Sequence, residues 1–220
     1  MTQLPIRKDL ICRSPYGAPQ IDVPVRLNTN ENPFGPSPEL VAELAKVVSD
    51  LGSELNRYPD RDASELRADL ANYLNFESQV NLTAKNIWPA NGSNEVMQQL
   101  LQIFGGPDKS LLVFDPTYSM FEDYCRNTFT KYLRVSRNAD FTIDRTVIDS
   151  ALALSPDIIV ITSPNNPTGT VIELSDIDYL LEKFNGMLIV DEAYAEFRAT
   201  GTPSALTKLD SNPHLVVVRT

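Results

Sequence analysis

The sequence predicts an α/β domain whose mostly parallel sheet is covered by helices on both faces. From residue 86 onwards, short apolar runs alternate with amphipathic stretches that are long enough to form helices. The runs are almost continuously apolar, which is typical of parallel strands buried on both faces. Strands are predicted at 87–90, 111–114, 131–135, 158–162, 187–190 and 215–218, and helices between them at 94–104, 120–128, 144–154 and 175–184.

The region before residue 86 predicts an arm and two helices. Seven prolines interrupt the first 38 residues, which favours an extended arm with turns over a compact element. Ser37 is a suitable N-cap for a helix that Gly52 ends, and a second amphipathic helix is expected from about Ala63. We therefore predict an N-terminal arm at 1–38 and a large domain at 39–220.

Composition excludes several classes of protein. The formal net charge of −10 argues against nucleic-acid binding, because phosphate contacts need a basic surface. No apolar run approaches the roughly 18 residues of a membrane span, and the N-terminus has no signal-peptide pattern. Cys12 and Cys125 are too few cysteines for a disulfide framework and indicate a reducing, cytoplasmic setting. His214 is the single histidine, so we expect no multi-histidine metal site.

Polar residues follow several of the predicted strands, where a parallel sheet binds its ligand. Gly92, Ser93 and Asn94 form a turn into a helix, and the backbone N–H groups of this turn could hold a phosphate. Tyr118, after the next strand, could lie over a flat ring. Taken alone, a helix cap and a packed tyrosine explain these residues more simply.

Two further strand ends add an amide and a carboxylate. Asn166 lies in a polar loop between prolines, and Asp191 ends an apolar strand shortly before Tyr194. A carboxylate at this position is unfavourable unless a positive group pairs with it. Together, the four strand ends predict a ligand with a phosphate, a flat ring, a hydrogen-bonding ring substituent and a cationic ring nitrogen. Pyridoxal 5'-phosphate has these four features, and its protonated ring can accept electrons from a substrate carbanion.

The same residues carry a family resemblance. The run SPNNPTG at 163–169, followed by DEAY at 191–194, resembles the fold-type I, class II aminotransferases. Motifs nearer the N-terminus narrow the resemblance to the histidinol-phosphate aminotransferases. They are SPYG at 14–17, RLNTNENP at 26–33, GPSP at 35–38 and RYPD at 57–60. The fold implied is the large domain of a fold-type I pyridoxal-phosphate-dependent transferase.

The resemblance implies an enzyme that uses small-molecule substrates. It would transfer an amino group between L-glutamate and imidazole acetol phosphate in L-histidine biosynthesis, as a cytoplasmic homodimer with no nucleic-acid or membrane partner. An aromatic aminotransferase or a phospho-amino-acid decarboxylase of the same fold stays open as an alternative. So does a non-catalytic fragment that binds a partner or a phosphate ligand.

Residue roles follow from the resemblance. The residues implied to bind the cofactor are Tyr58, Gly92, Ser93, Asn94, Tyr118, Asn166, Asp191 and Tyr194. Of these, Tyr58 would reach across a dimer interface to the cofactor of the other subunit. The residues implied to act in catalysis are Asp191, Tyr194 and Asn166. Tyr16 and Asn30 would line the substrate pocket, and Asn94 stands where the family more often has an aspartate.

The resemblance also implies a lysine that is not found among these 220 residues. The family's Schiff-base lysine lies in a Ser-Lys pair shortly after a strand that ends in Arg-Thr, and here that pair is Arg219 and Thr220. None of the seven lysines has this context. We therefore expect the N-terminal portion of an aminotransferase, incomplete at the C-terminus, without the small C-terminal domain and inactive alone. A seventh strand from beyond residue 220 would insert between strands 87–90 and 215–218.

Overall fold

The computed structural model describes residues 4–11, 13, 17, 19, 21–25, 28–29 and 31–220. The chain forms two compact units, Met1–Tyr58 and Pro59–Thr220. The described part of the first unit contains a short 3-10 helix at Lys8–Leu10 and helix α1 at Pro38–Leu51.

Helix α1 begins and ends where its sequence predicts. The Ser37 Oγ accepts the Leu40 N–H at 3.2 Å, which satisfies one of the backbone donors left open at a helix start. Gly52 follows the last helical residue. The predicted cap and end of this helix are confirmed.

The second unit contains the remaining helices and all the described strands. The helices are α2 (Ser64–Ser78), α3 (Ser93–Phe104), α4 (Met120–Thr128), α5 (Arg145–Leu152) and α6 (Leu174–Lys183). The strands are β1 (Ser110–Asp115), β2 (Lys131–Ser136), β3 (Ile158–Thr162), β4 (Met187–Asp191) and β5 (Leu215–Val218). Short 3-10 helices lie at Ala84–Asn86, Ala195–Phe197 and Ala205–Ser211. The helices predicted after residue 86, and the strands predicted after residue 90, coincide with these elements to within two residues.

The five strands form one parallel sheet in the order β2-β1-β3-β4-β5. Leu112 pairs with Ile159, and Ile159 pairs with Leu188, so the central strands are in register. Because all neighbours are parallel, the carboxyl ends of the strands lie along one edge of the sheet, here called the carboxyl edge.

Two apolar cores cover the faces of the sheet. On one face, Leu112, Ile159 and Leu188 pack with buried residues of α5 and α6. On the other, Val113 and Val160 pack with buried residues of α3 and α4. Successive strand residues point to opposite faces, so a strand fills both cores only if nearly all its residues are apolar. The predicted α/β fold, with helices on both faces of a parallel sheet, is confirmed.

The predicted strand at 87–90 is wrong. The chain is extended at Ile87 (φ −109°, ψ 134°), but residues 87–90 form no ladder with the described sheet. A groove of about 510 Å³ is lined by this segment, by α2 and by β5, with apolar side chains such as Leu70 and Val216. The apolar pattern indicates an extended chain correctly. A strand also needs a neighbour about 5 Å away to pair its N–H and C=O groups, and the groove separates residues 87–90 from β5.

Gly186 lies directly before β4, where the amino ends of β3 and β4 are tightly packed. A Cβ on this residue would overlap the carbonyl oxygen of Asp157 and the ring of Phe184. That carbonyl accepts the Met187 N–H at 3.0 Å, the bond that begins the β3–β4 pairing. We therefore expect Gly186→Ala to lower the free energy of unfolding by about 1–3 kcal/mol in urea titrations.

Gly35→Ala is the control for this substitution, because a Cβ there meets no atom within 4 Å. It should leave the free energy of unfolding almost unchanged. Equal stability of the two variants would contradict the packing described at the start of β4.

Candidate functional site

Three of the predicted strand-end residues lie in order along the carboxyl edge. Tyr118 follows β1, Asn166 follows β3 and Asp191 ends β4, and the sheet order places β3 between the other two strands. The ends of β3 and β4 are joined directly, because the Ser163 N–H donates to the Asp191 carbonyl oxygen at 2.9 Å. The three residues therefore lie at the ends of neighbouring strands along one edge of the sheet.

The predicted phosphate-binding turn lies beside the end of β5. Gly92 has φ +79°, in the region that favours glycine, and α3 begins at the next residue. The Ser93 N–H donates to Thr220 Oγ1 at 3.3 Å, which ties the start of α3 to the chain just after β5. The N–H groups of a helix start carry partial positive charge, so this turn can bind an anion. Sequence reasoning missed Thr220 as a contact of the turn.

Asn94 is held by two tyrosines. Its Oδ1 accepts hydrogen bonds from Tyr118 OH at 3.2 Å and from Tyr124 OH at 2.5 Å. The half-buried Tyr118 ring stands edge-on to Phe121, with centroids 5.8 Å apart and an interplanar angle of 90°. These contacts fix the Tyr118 ring between the starts of α3 and α4. Sequence reasoning missed Tyr124, whose helical spacing indicates only a core position.

The loop after β3 is anchored by an asparagine that sequence reasoning also missed. Asn165 is 3% exposed, and its Nδ2 donates to the Pro116 carbonyl at 3.0 Å. Its Oδ1 accepts the Thr117 hydroxyl at 3.0 Å. The next residue, Asn166, donates from Nδ2 to Tyr194 OH at 3.0 Å. Asn165 therefore connects the loops after β1 and β3, and the hydrogen bond from Asn166 brings its side chain next to the Tyr194 hydroxyl.

Asp191 is a buried carboxylate with no cationic partner among the described residues. It is 5% exposed, and within the described part of the chain its one hydrogen bond is from the Ala193 N–H to Oδ1 at 3.2 Å. No arginine or lysine of the described residues lies within ion-pair distance of it. Burial raises its pKa from 3.8 to about 6, the Ala193 N–H opposes this rise, and the charge of Glu192 adds to it. A positively charged ligand group would relieve this cost.

Three other predicted site residues are not described at the carboxyl edge. Tyr16 and Asn30 lie outside the described residues. Tyr58 belongs to the first unit, where its side chain is fully exposed. The described residues contain no cluster of three or more potential metal ligands. None of the helices in the described ranges has the length and apolar character needed to cross a membrane.

Because Asp191 is buried and has no cationic partner within the described ranges, we expect its ionisation to lower the free energy of unfolding. The unfolded chain loses this proton near pH 3.8 and the folded protein near pH 6, so the folded state loses about 3 kcal/mol from this group as the pH rises through that interval. Asp191→Asn keeps the shape and removes the charge. In ligand-free protein, we expect urea titrations to show the variant as more stable than wild type at pH 8, but not at pH 4. A less stable variant at pH 8 would contradict an unpaired carboxylate.

The chain is similar to curated proteins along its whole length. Histidinol-phosphate aminotransferase 3 of Burkholderia lata is 51% identical over 221 residues, and the histidinol-phosphate aminotransferase of Corynebacterium glutamicum is 50% identical over 222 residues. Each alignment covers 100% of this chain and 60% of the relative, so the chain spans about 60% of the length of these curated relatives.

A solved structure and a family model also match this chain. The solved structure of Thermus thermophilus aspartate aminotransferase with maleate superposes with a TM-score of 0.75 at 23% identity, covering 88% of this chain and 51% of that one. At this identity, the likeness concerns the fold. Residues 22–220 match the family of class I and II aminotransferases. The chain therefore belongs to the class I and II aminotransferase family.

Proposed function

We propose that the protein represented by this chain is a histidinol-phosphate aminotransferase. It transfers an amino group between L-glutamate and imidazole acetol phosphate in histidine biosynthesis, with pyridoxal 5'-phosphate as cofactor. The observation that carries this proposal is identity of about 50% to two curated histidinol-phosphate aminotransferases along the whole chain. A homodimer in the cytoplasm is part of the proposal, on the family resemblance and the low cysteine content.

The residues of the carboxyl edge fit this cofactor. The buried Asp191 carboxylate has no cation among the described residues, which suits a protonated ring nitrogen. Tyr194 accepts the Asn166 amide through its oxygen, so its own hydroxyl proton can be donated to a ligand oxygen. The α3 start at Ser93 offers backbone donors for a phosphate. Charge, hydrogen-bonding capacity and position thus agree with three different parts of one molecule.

Each residue then has a definable task. When bound, pyridoxal phosphate supplies an electron sink for negative charge that develops on the substrate carbon. The ionised Asp191 would pair with the protonated ring nitrogen and keep the proton there, because a buried carboxylate is stabilised by a neighbouring cation. Asn166 and Tyr194 orient the ring through its hydroxyl, Tyr118 covers the ring, and the turn at Ser93 holds the phosphate.

The positions of four lysines support the proposal that the covalent lysine lies outside residues 1–220. Lys109 and Lys131 are at the amino ends of β1 and β2, on the edge opposite the site. Lys183 is the last residue of α6, and Lys208, before β5, pairs with Asp178 on α6 at 2.8 Å. On this proposal, the groove beside β5 receives a further strand of the complete enzyme.

Substitutions of Tyr118 can distinguish a ring that stacks on the cofactor from a ring that only packs in the core. Tyr118→Phe keeps the ring and its contact with Phe121 and loses the hydroxyl bond to Asn94, so we expect little change in cofactor affinity. Tyr118→Ala removes the ring and should cost roughly 1 kcal/mol or more, about a fivefold rise in Kd. Titration of the complete protein with pyridoxal phosphate, followed by absorbance, measures both. Wild-type affinity in the alanine variant would show that the ring only packs in the core.

The proposed activity is tested with the complete protein loaded with pyridoxal phosphate. We expect L-histidinol phosphate and 2-oxoglutarate to yield L-glutamate, with kcat/KM at least tenfold higher than with phenylalanine or tyrosine as donor. Residues 1–220 alone should give no turnover. Faster turnover of an aromatic amino acid would favour the aromatic aminotransferase, and release of CO₂ from the phosphorylated amino acid would favour the decarboxylase; either result would overturn the proposal.

A further inference from the structure

We propose that the ion pair between Glu192 and Arg219 positions Tyr194 in the cofactor site. The inference rests on the proposed function, because it assigns a role in the cofactor site to Glu192 and Arg219, which are not among the proposed cofactor contacts. Glu192 directly follows Asp191, is 4% exposed, and accepts hydrogen bonds from Ser204 and Ala205. It is therefore a positioning residue, acting on the site through the chain around it.

Four groups surround the Glu192 carboxylate. The Ser204 hydroxyl and the Ala205 N–H each donate to it at 2.7 Å. Arg219 Nε lies 3.1 Å from Oε2, and Arg198 Nη1 lies 3.5 Å from it. The Arg219 Nε is buried and not aligned for a hydrogen bond with any group, so its contact with Glu192 is an attraction of charges. This contact depends on Glu192 being ionised.

Two more carboxylates complete a charge cluster, defined as Glu77, Glu192, Glu196, Arg198 and Arg219. Arg219 Nη2 lies 2.9 Å from Glu77 Oε2, and Arg219 Nη1 lies 3.3 Å from Glu196 Oε1. Arg198 also pairs with Glu77, near the end of α2. Both arginine side chains are largely buried, which makes these pairs stronger than surface ion pairs and costly to break from one side.

The cluster encloses the segment that carries Tyr194. Residues 192, 196 and 198 all take part in it, so the chain is held on both sides of Tyr194. The backbone is held too: the Ala195 N–H donates to the Glu192 carbonyl at 3.0 Å, and the Phe197 N–H donates to the Tyr194 carbonyl at 3.0 Å. Within this turn, Tyr194 extends its hydroxyl to Asn166. Movement of Glu192 or Arg219 would therefore move the Tyr194 hydroxyl relative to Asn166.

The substitution Glu192→Gln removes the negative charge of the side chain and keeps its size and shape. The oxygen of a glutamine can still accept the Ala205 N–H, and its amide NH2 can donate to the Ser204 hydroxyl oxygen, but the side chain has no net charge to attract Arg219. The first measurement is the crystal structure of the complete, cofactor-free variant. We expect the Asn166–Tyr194 hydrogen bond of 3.0 Å to be lost or lengthened beyond 3.5 Å. An unchanged bond would overturn the inference, whatever the enzyme's activity.

A double-mutant cycle tests the same link in the loaded, complete enzyme. Glu192→Gln and Tyr194→Phe should each lower kcat about tenfold or more, and the double variant should be no slower than Tyr194→Phe alone, because both act through one hydroxyl. Multiplying losses would show that Glu192 acts independently of Tyr194 and overturn the inference. If wild type turns over no histidinol phosphate, the proposed function fails, while the crystal structure still decides the positioning.

Three further variants control the experiment. Asp178→Asn removes the surface ion pair with Lys208 and should leave kcat and the Asn166–Tyr194 bond unchanged. Arg219→Lys keeps the positive charge, so we expect it to keep more kcat than Arg219→Gln. If Glu192→Gln does not fold, the Arg219 pair replaces it in the same cycle. Equal kcat for Arg219→Lys, Arg219→Gln and wild type would then overturn the inference.

Discussion

Two adjacent buried carboxylates at the carboxyl edge have opposite electrostatic surroundings, and this difference suits one of them to the fold and the other to a ligand. Glu192 has two arginines, a hydroxyl and a backbone N–H around it, so its charge is balanced within the chain. Within the part of the chain that the structure describes, Asp191 has one backbone N–H and the negative charge of its neighbour. Since successive residues of an extended chain point to opposite sides, one peptide step separates a structural carboxylate from one suited to a ligand.

The polar ties around Asp191 connect elements that are distant in sequence. Asn165 joins the loops after β1 and β3, Asn94 joins the starts of α3 and α4, and Thr220 joins β5 to the turn at Ser93. Each tie is a hydrogen bond between groups that the fold already holds close. A ligand that binds at this edge therefore meets donors and acceptors that are already oriented, which reduces the entropy lost on binding.

The sequence predicts the secondary structure well because apolar periodicity and capping are local properties, as Ser37 and the run 158–162 show. The error at 87–90 has a different origin, since pairing with a neighbour is not local. Strand-end reasoning finds Asp191 and Asn166, because a polar residue at the end of an apolar run is unusual. It misses Glu192 and its cluster, because the partners are contributed by α2, the loop after β4 and the end of β5. The spacing of these residues along the sequence does not predict that they form an ion-pair network.

We propose that the Asp191 carboxylate pairs with a cationic group of the cofactor, and titration of this carboxyl group measures that pairing. Carboxyl ¹³C shifts of the complete protein, assigned by comparison with Asp191→Asn, would report its pKa with and without pyridoxal phosphate. The account predicts a pKa near 6 without the cofactor, where burial opposes ionisation, and a pKa below the ordinary 3.8 with the cofactor bound. A pKa near 3.8 in both states would show that the carboxylate is already compensated within the protein, and would contradict the account.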